Sequence, residues 1–375
     1  MEYNDFKECR LSKLGFGTMR LPLREDKSID IPQVETMVEM AIRSGVNYFD
    51  TAWPYHDGKS ETVIGEVLRR YPRENWYLAD KFPGHQTAPS YEPEKLFEAQ
   101  LRKCKVDYFD FYLLHNVCES SMGVYLDPKW GIGDYFVKQR EDGRIRHLGF
   151  SSHAEPEALE AFLDTPIGKE MEFCQIQLNY MDWSLQDARA KVALLNERNI
   201  PVWVMEPLRG GLLARKGDAA EAFRWIAEIP GVTMILSGMS DIAQMEDNIN
   251  TFNTLEPLDD ARREKLYALA DSLRSSVPCT ACRYCCEGCP MGLDIPSLIR
   301  SYNDMKTAFS FTPLMKVEAL PADKRPSACV GCGACAQICP QRIDIPAIMA
   351  DFADMLSKTT SWEEICRQRA AAAKF

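Results

Sequence analysis

Residues 34–51, VETMVEMAIRSGVNYFDT, change period once, and the fold follows from that change. The first part carries a helical pattern that ends on a glycine stop at Gly45. The second part is a short apolar strand that ends at Asp50. Similar short runs flank this unit on both sides. They are LGFGT at 14–18, WYLADKF at 76–82, FDFYLLH at 109–115, IRHLGFSS at 145–152, FCQIQLN at 173–179, PVWVME at 201–206 and VTMILSG at 232–238. Helical patterns such as PEKLFEAQLRKCK at 93–105 lie between them. The spacing, roughly thirty residues, is that of one strand–helix unit, and eight such units close into a parallel (β/α)8 TIM barrel. The expected class is α/β, with the barrel over 1–270.

The last quarter of the chain reads differently. Cys279, Cys282, Cys285 and Cys289 precede Pro290, and Cys329, Cys332, Cys335 and Cys339 precede Pro340. Each run places three cysteines two residues apart and a fourth after three more. The spacing resembles that of bacterial two-cluster ferredoxins, where each run gives three thiolates to one 4Fe-4S cluster and its fourth to the other. A disulfide framework and a pair of zinc sites are the alternatives. The doubled spacing with its proline favours clusters. Cys286 follows Cys285 directly, and the register favours Cys285 as ligand. After the prolines, MGLDIP and QRIDIP extend the likeness into a repeat about fifty residues long, each half a cluster loop followed by a short helix. The expectation is a small, mainly helical ferredoxin-like iron–sulfur domain over 271–375, with Pro278 marking the boundary. Cys9, Cys104, Cys118, Cys174 and Cys366 are isolated and expected to be dispensable for cluster assembly.

Net charge is −11 and falls on residues 1–270. No basic stripe is present, so no nucleic-acid partner is expected. The opening MEYNDFKECR is polar and no apolar stretch is long enough to span a bilayer, so no membrane partner is expected and the expected location is the cytoplasm.

Chemistry in such a barrel gathers at the carboxyl ends of its strands. Asp50, Lys81 and His115 stand at three successive strand ends, with Tyr55 in the loop after the first. Singly, each has a structural explanation. Together they form an acid–base group.

The strings NYFDTAWPY at 47–55, LADKF at 78–82, YLLHN at 112–116 and LGFSSH at 148–153 resemble the aldo-keto reductase superfamily, in order over essentially all of 1–270. With the cysteine tail, the chain is similar to a branch that carries a C-terminal ferredoxin-type domain. The resemblance implies a tetrad in which Tyr55 donates the proton, Lys81 held by Asp50 lowers the phenol pKa, and His115 orients the carbonyl. It implies a dinucleotide, NADP or NAD, bound without a Rossmann fold. Arg20 in GFGTMR stands where that fingerprint needs a glycine. Positions matching nicotinamide contacts are Thr18, Asp50, Ser151, Ser152 and Gln175. Glu206, Pro207, Leu208 and Gly210 match the pyrophosphate loop, and Gly238, Gln244, Asp247 and Asn248 the adenosine-phosphate region. NADPH-selective members usually place a basic residue where Gln244 stands, which leaves NADH open.

Two functions from different classes follow. One is an NAD(P)-dependent oxidoreductase acting on a small carbonyl or alcohol, with clusters serving a redox partner protein. The other is an iron–sulfur electron-transfer protein whose barrel is a docking or regulatory scaffold.

Overall fold

The computed structural model describes residues 1–86, 88–273, 277, 279, 283–307, 311–339 and 342–372. Pro278, Cys282 and Pro340 therefore lie outside the described residues. The chain divides into two compact units, one of Met1–Tyr267 together with the residues from Arg369 onward, the other of Ala268–Gln368.

Among its described residues the first unit holds ten strands: β1 (Tyr3–Phe6), β2 (Cys9–Ser12), β3 (Leu14–Gly17), β4 (Tyr48–Asp50), β5 (Tyr77–Phe82), β6 (Phe109–Leu114), β7 (Ile145–Ser152), β8 (Cys174–Gln177), β9 (Val202–Met205) and β10 (Val232–Gly238). Strands β3 to β10 form a closed parallel barrel, in which β10 pairs with both β9 and β3. All eight apolar runs of the sequence are barrel strands. Strand β6 is buried throughout, because helices cover one face and packed side chains fill the other. The helix Ile31–Arg43 stops as expected, with Gly45 in the left-handed region at φ 88°. Inside the barrel, Gly15 admits close packing: a Cβ there would meet Leu236 Cδ2 at 2.5 Å.

The β1–β2 hairpin has no counterpart in the expected pattern. Its strands are antiparallel around a two-residue turn, Lys7–Glu8, with Lys7 at φ 50°. YNDF and CRLS are too polar to announce a strand pair. The hairpin is held by Phe6, whose ring lies 5.9 Å from Phe111, 6.0 Å from Phe173 and 5.8 Å from Trp203. Phe6 thus closes the amino-terminal end of the barrel with an aromatic plug, and its burial contributes about 2–3 kcal/mol.

In the second unit the repeat is visible in the backbone. The helices Ile295–Thr307 and Ile345–Ser357 start and end fifty positions apart. Leu293, Ile295, Ile299 and Tyr302 share one apolar core with Ile343, Ile345, Met349 and Phe352, their repeat partners. Arg283 and Gly333 are both left-handed, at φ 66° and 77°, and so are Gly292 and Arg342, at 58° and 54°. An arginine takes a glycine's conformation at each pair, so the loop shape, rather than the residue, is what the repeat preserves.

Candidate active site and cysteine centre

The four acid–base residues converge at the carboxyl end of the barrel. Lys81, on β5, points inward between β4 and β6. Its Nζ donates to Asp50 Oδ1 at 2.5 Å and to the Thr51 carbonyl at 2.7 Å, and lies 3.5 Å from the Tyr55 hydroxyl. Lys81 is 0% and Asp50 3% exposed, so this is a buried ion pair whose ammonium has one direction left, towards Tyr55. The Tyr55 ring meets the His115 ring edge-on at 6.0 Å. His115 follows β6, and its backbone N–H donates to the Phe82 carbonyl at 3.0 Å. Tyr125 then donates from its hydroxyl to the His115 carbonyl at 2.6 Å.

The charges follow from this packing. Burial alone would lower the Lys81 pKa, but Asp50 and Tyr55 outweigh it and the ammonium ends above its ordinary value. Burial raises the Tyr55 phenol, and the opposing Lys81 charge does not bring it below its ordinary value. The phenol therefore stays protonated at neutral pH, whereas the sequence resemblance implies a lowered value. Burial, with His85 and Lys81 adding to it, pushes the His115 imidazole well down, so it is neutral. Tyr55 and His115 are each partly exposed.

The expected nucleotide positions also gather at this mouth, in differing roles. Gln175 reaches across from β8 to donate to Asp50 Oδ2 at 3.3 Å, and Thr18 donates to the Asp50 carbonyl at 2.9 Å. Ser151 Oγ accepts from the Asn116 N–H at 2.7 Å, and Ser152 Oγ donates to the Val117 carbonyl at 2.7 Å, so both fix the loop behind His115. The segment after β9 has left-handed backbone at Glu206, Arg209, Gly210 and Gly211, with Pro207 and Leu208 inside it, and turns on itself through bonds from the Arg209 and Gly211 N–H groups to the Glu206 and Leu208 carbonyls at 3.0 and 2.9 Å. Asn248 donates to Ser237 Oγ at 2.9 Å, beside Gly238, while Asp247 is exposed. Gln244 closes a capping box: its N–H donates to Asp241 Oδ1 at 2.8 Å and its Oε1 accepts from the Ser240 N–H at 2.9 Å. That is why an uncharged side chain suits the position.

Two residues with no expected site role lie here as well. A Cβ on Gly210 would meet Arg20 Nη2 at 3.3 Å, and one on Gly238 would meet Arg20 Cβ at 3.2 Å. Arg20 therefore passes Gly238 with its stem and brings its guanidinium to Gly210. The His85 ring lies 4.3 Å from that of His115, tilted by 59°. Its place three residues past β5 was the available signal.

In the second unit, one pocket is lined by Cys329, Cys332 and Cys335 of the second run together with Cys289 of the first, among apolar residues such as Ile295, Ile345 and Met349. Three thiols of one run thus meet the fourth of the other. Cys279 and Cys286 pack beside Cys285, which burial and the Cys286 thiol push up to about 12. Cys339 packs against the same core. All described cysteines are free thiols.

Residues 13–222 match the model of the aldo/keto reductase family, and residues 278–343 match that of the 4Fe-4S dicluster domain. A probable aldo-keto reductase of Glycine max is 27% identical over 55% of this chain and 59% of its own length. The NADH-specific methylglyoxal reductase of Escherichia coli is 26% identical over 55% and 66%. The chain thus spans under two thirds of either relative. An aldo-keto reductase from Klebsiella pneumoniae, solved with NADPH, superposes with a TM-score of 0.58 at 20% identity, covering 72% of this chain and 96% of that one, a likeness of fold. No helix among the described residues is long and apolar enough to cross a membrane. With the family model covering more than half of its length, the chain belongs to the aldo/keto reductase family, fused to a C-terminal 4Fe-4S dicluster domain.

Proposed function

We propose that the barrel, residues 1–270, reduces a small carbonyl compound or oxidises the matching alcohol, and that residues 271–375 hold two 4Fe-4S clusters serving a redox partner protein in the cytoplasm. The observation that carries the first part is Lys81, fully buried, held by Asp50 and Thr51 with its free direction on the Tyr55 hydroxyl.

A bound nicotinamide dinucleotide, NAD or NADP, supplies the hydride. The chain's own residues handle the proton and the charge. Tyr55, protonated at neutral pH, gives its proton to the carbonyl oxygen. The Lys81 ammonium then faces the phenolate left behind and stabilises it by charge. Neutral His115 serves as a hydrogen-bonding partner to the same oxygen, its Nδ1 being buried with no protein partner. Thr18, Gln175, Ser151 and Ser152 hold this constellation at the nicotinamide end. The left-handed segment from Glu206 to Gly211 suits a pyrophosphate, and Arg20 offers the charge that Gln244 lacks at the adenosine end.

For the clusters, the donor set fits: Cys329, Cys332, Cys335 and Cys289 would hold one, and Cys279, Cys282, Cys285 and Cys339 the other. They would supply one-electron transfer.

Tyr55→Phe tests the reading, because it removes the proton and little volume. Carbonyl turnover should fall by about 10²–10⁴-fold, with nucleotide affinity, followed by fluorescence titration, unchanged. Retained turnover would remove Tyr55 from the chemistry.

A further inference from the structure

The amino-terminal end of the barrel, opposite the mouth, carries a second cluster of donors. Glu8 comes from the turn of the β1–β2 hairpin, Cys9 from the first residue of β2 and His147 from the start of β7. Cys9 and His147 are 5% and 3% exposed, while the Glu8 side chain is 67% exposed. His147 Nε2 lies 3.6 Å from Cys9 Sγ and 3.2 Å from Glu8 Oε1. One donor atom from each of the three residues lies within 4.8 Å of the other two.

We propose that Glu8, Cys9 and His147 bind a divalent zinc ion that clips the hairpin to the barrel floor. The two separations from His147 Nε2 are those of a tetrahedral site. With Zn–S about 2.3 Å, Zn–N about 2.05 Å and Zn–O about 2.0 Å, tetrahedral angles put sulfur about 3.6 Å and oxygen about 3.3 Å from the nitrogen. Both separations match. The imidazole is oriented as in zinc sites, with Nδ1 2.9 Å from Glu172 Oε2. If Nδ1 donates that hydrogen bond, Nε2 carries a lone pair. A lone pair, a carboxylate oxygen and a sulfur then converge, and they repel unless a cation or a proton sits among them.

Lys7 and Arg140 pair with Glu172, and Arg140 also with Glu170, so these neighbours are already neutralised. Arg146 lies over the Tyr108 ring. A Cys9 thiolate and the Glu8 carboxylate supply two negative charges to a divalent ion, set against the Arg146 and Lys169 cations that line the same depression, and binding releases the thiol proton to solvent. Glu8 and His147 line an open surface depression, which gives the ion an entry path and leaves a fourth position for water.

The test uses the full chain, purified anaerobically with its clusters and equilibrated against chelator-buffered Zn2+. Zinc and iron are counted together by mass spectrometry. Wild type should hold about one zinc per chain beyond the cluster iron. Cys9→Ser and His147→Gln should lose that zinc with iron unchanged. Zinc should raise the melting temperature of wild type and leave that of Cys9→Ser where it was. Glu8→Gln, too exposed to endanger folding, should bind zinc at least about tenfold more weakly. Wild type holding no more zinc than Cys9→Ser would overturn the proposal, because a proton rather than a metal then joins these groups. Equal zinc affinity in Glu8→Gln and wild type would overturn it too.

Discussion

Replacing Lys81 by methionine removes the ammonium and keeps the stem. Asp50 then loses its 2.5 Å partner at 3% exposure and retains only the Gln175 amide at 3.3 Å. Breaking a buried pair by deleting one member costs about 3–5 kcal/mol, because the other charge is left without compensation. For a barrel of this size each kcal/mol moves the melting temperature by about 2–4 °C, so Lys81→Met should melt about 10 °C lower. Asp50→Asn in the same background removes the stranded charge and should restore most of that loss, a coupling of about 2–3 kcal/mol. Tryptophan fluorescence reports this unit selectively, since six of the seven tryptophans lie before residue 268. A Lys81→Met barrel within about 3 °C of wild type, or a double variant no more stable than the single, would refute a buried charge pair at this site.

Cys285→Ser should lower iron per chain while Cys286→Ser leaves it unchanged, measured after anaerobic reconstitution; the opposite result exchanges their roles. His85 supplies a pH test. Burial, with Arg369 adding to it, holds its imidazole down at about 3 against an ordinary 6.5. Between those values the unfolded chain takes up a proton that the folded one refuses, so stability rises with pH and is lost as pH falls below 6.5. The slope is at most about 1.4 kcal/mol per pH unit, and His115 acts in the same direction. His85→Leu should flatten the melting temperature between pH 7 and pH 5, and an unchanged slope would exclude His85 as a source.

The barrel was legible because its strands are buried on both faces and flanked by helical patterns, so every strand leaves an apolar run. The hairpin β1–β2 was not, since its only strong signal is Phe6, whose partners Phe111, Phe173 and Trp203 are distant in the chain. Gln244 and Arg20 show the same limit. One, read only for its lack of charge, also braces the start of its helix. The other looked like a broken glycine motif and lies between Gly210 and Gly238.

The sequence by itself determined the α/β barrel, the candidate acid–base residues at its strand ends and the doubled cysteine loops, because period, strand ends and cysteine spacing are local properties of the chain. Only the tertiary structure decided which groups share an environment. It put Gln175 on Asp50 and Cys289 among Cys329, Cys332 and Cys335, and it left the Tyr55 phenol protonated beside Lys81. It also brought His147 to Glu8 and Cys9 across some 140 residues. Charge, burial and coordination act through distance in space, and that is set by how the barrel closes.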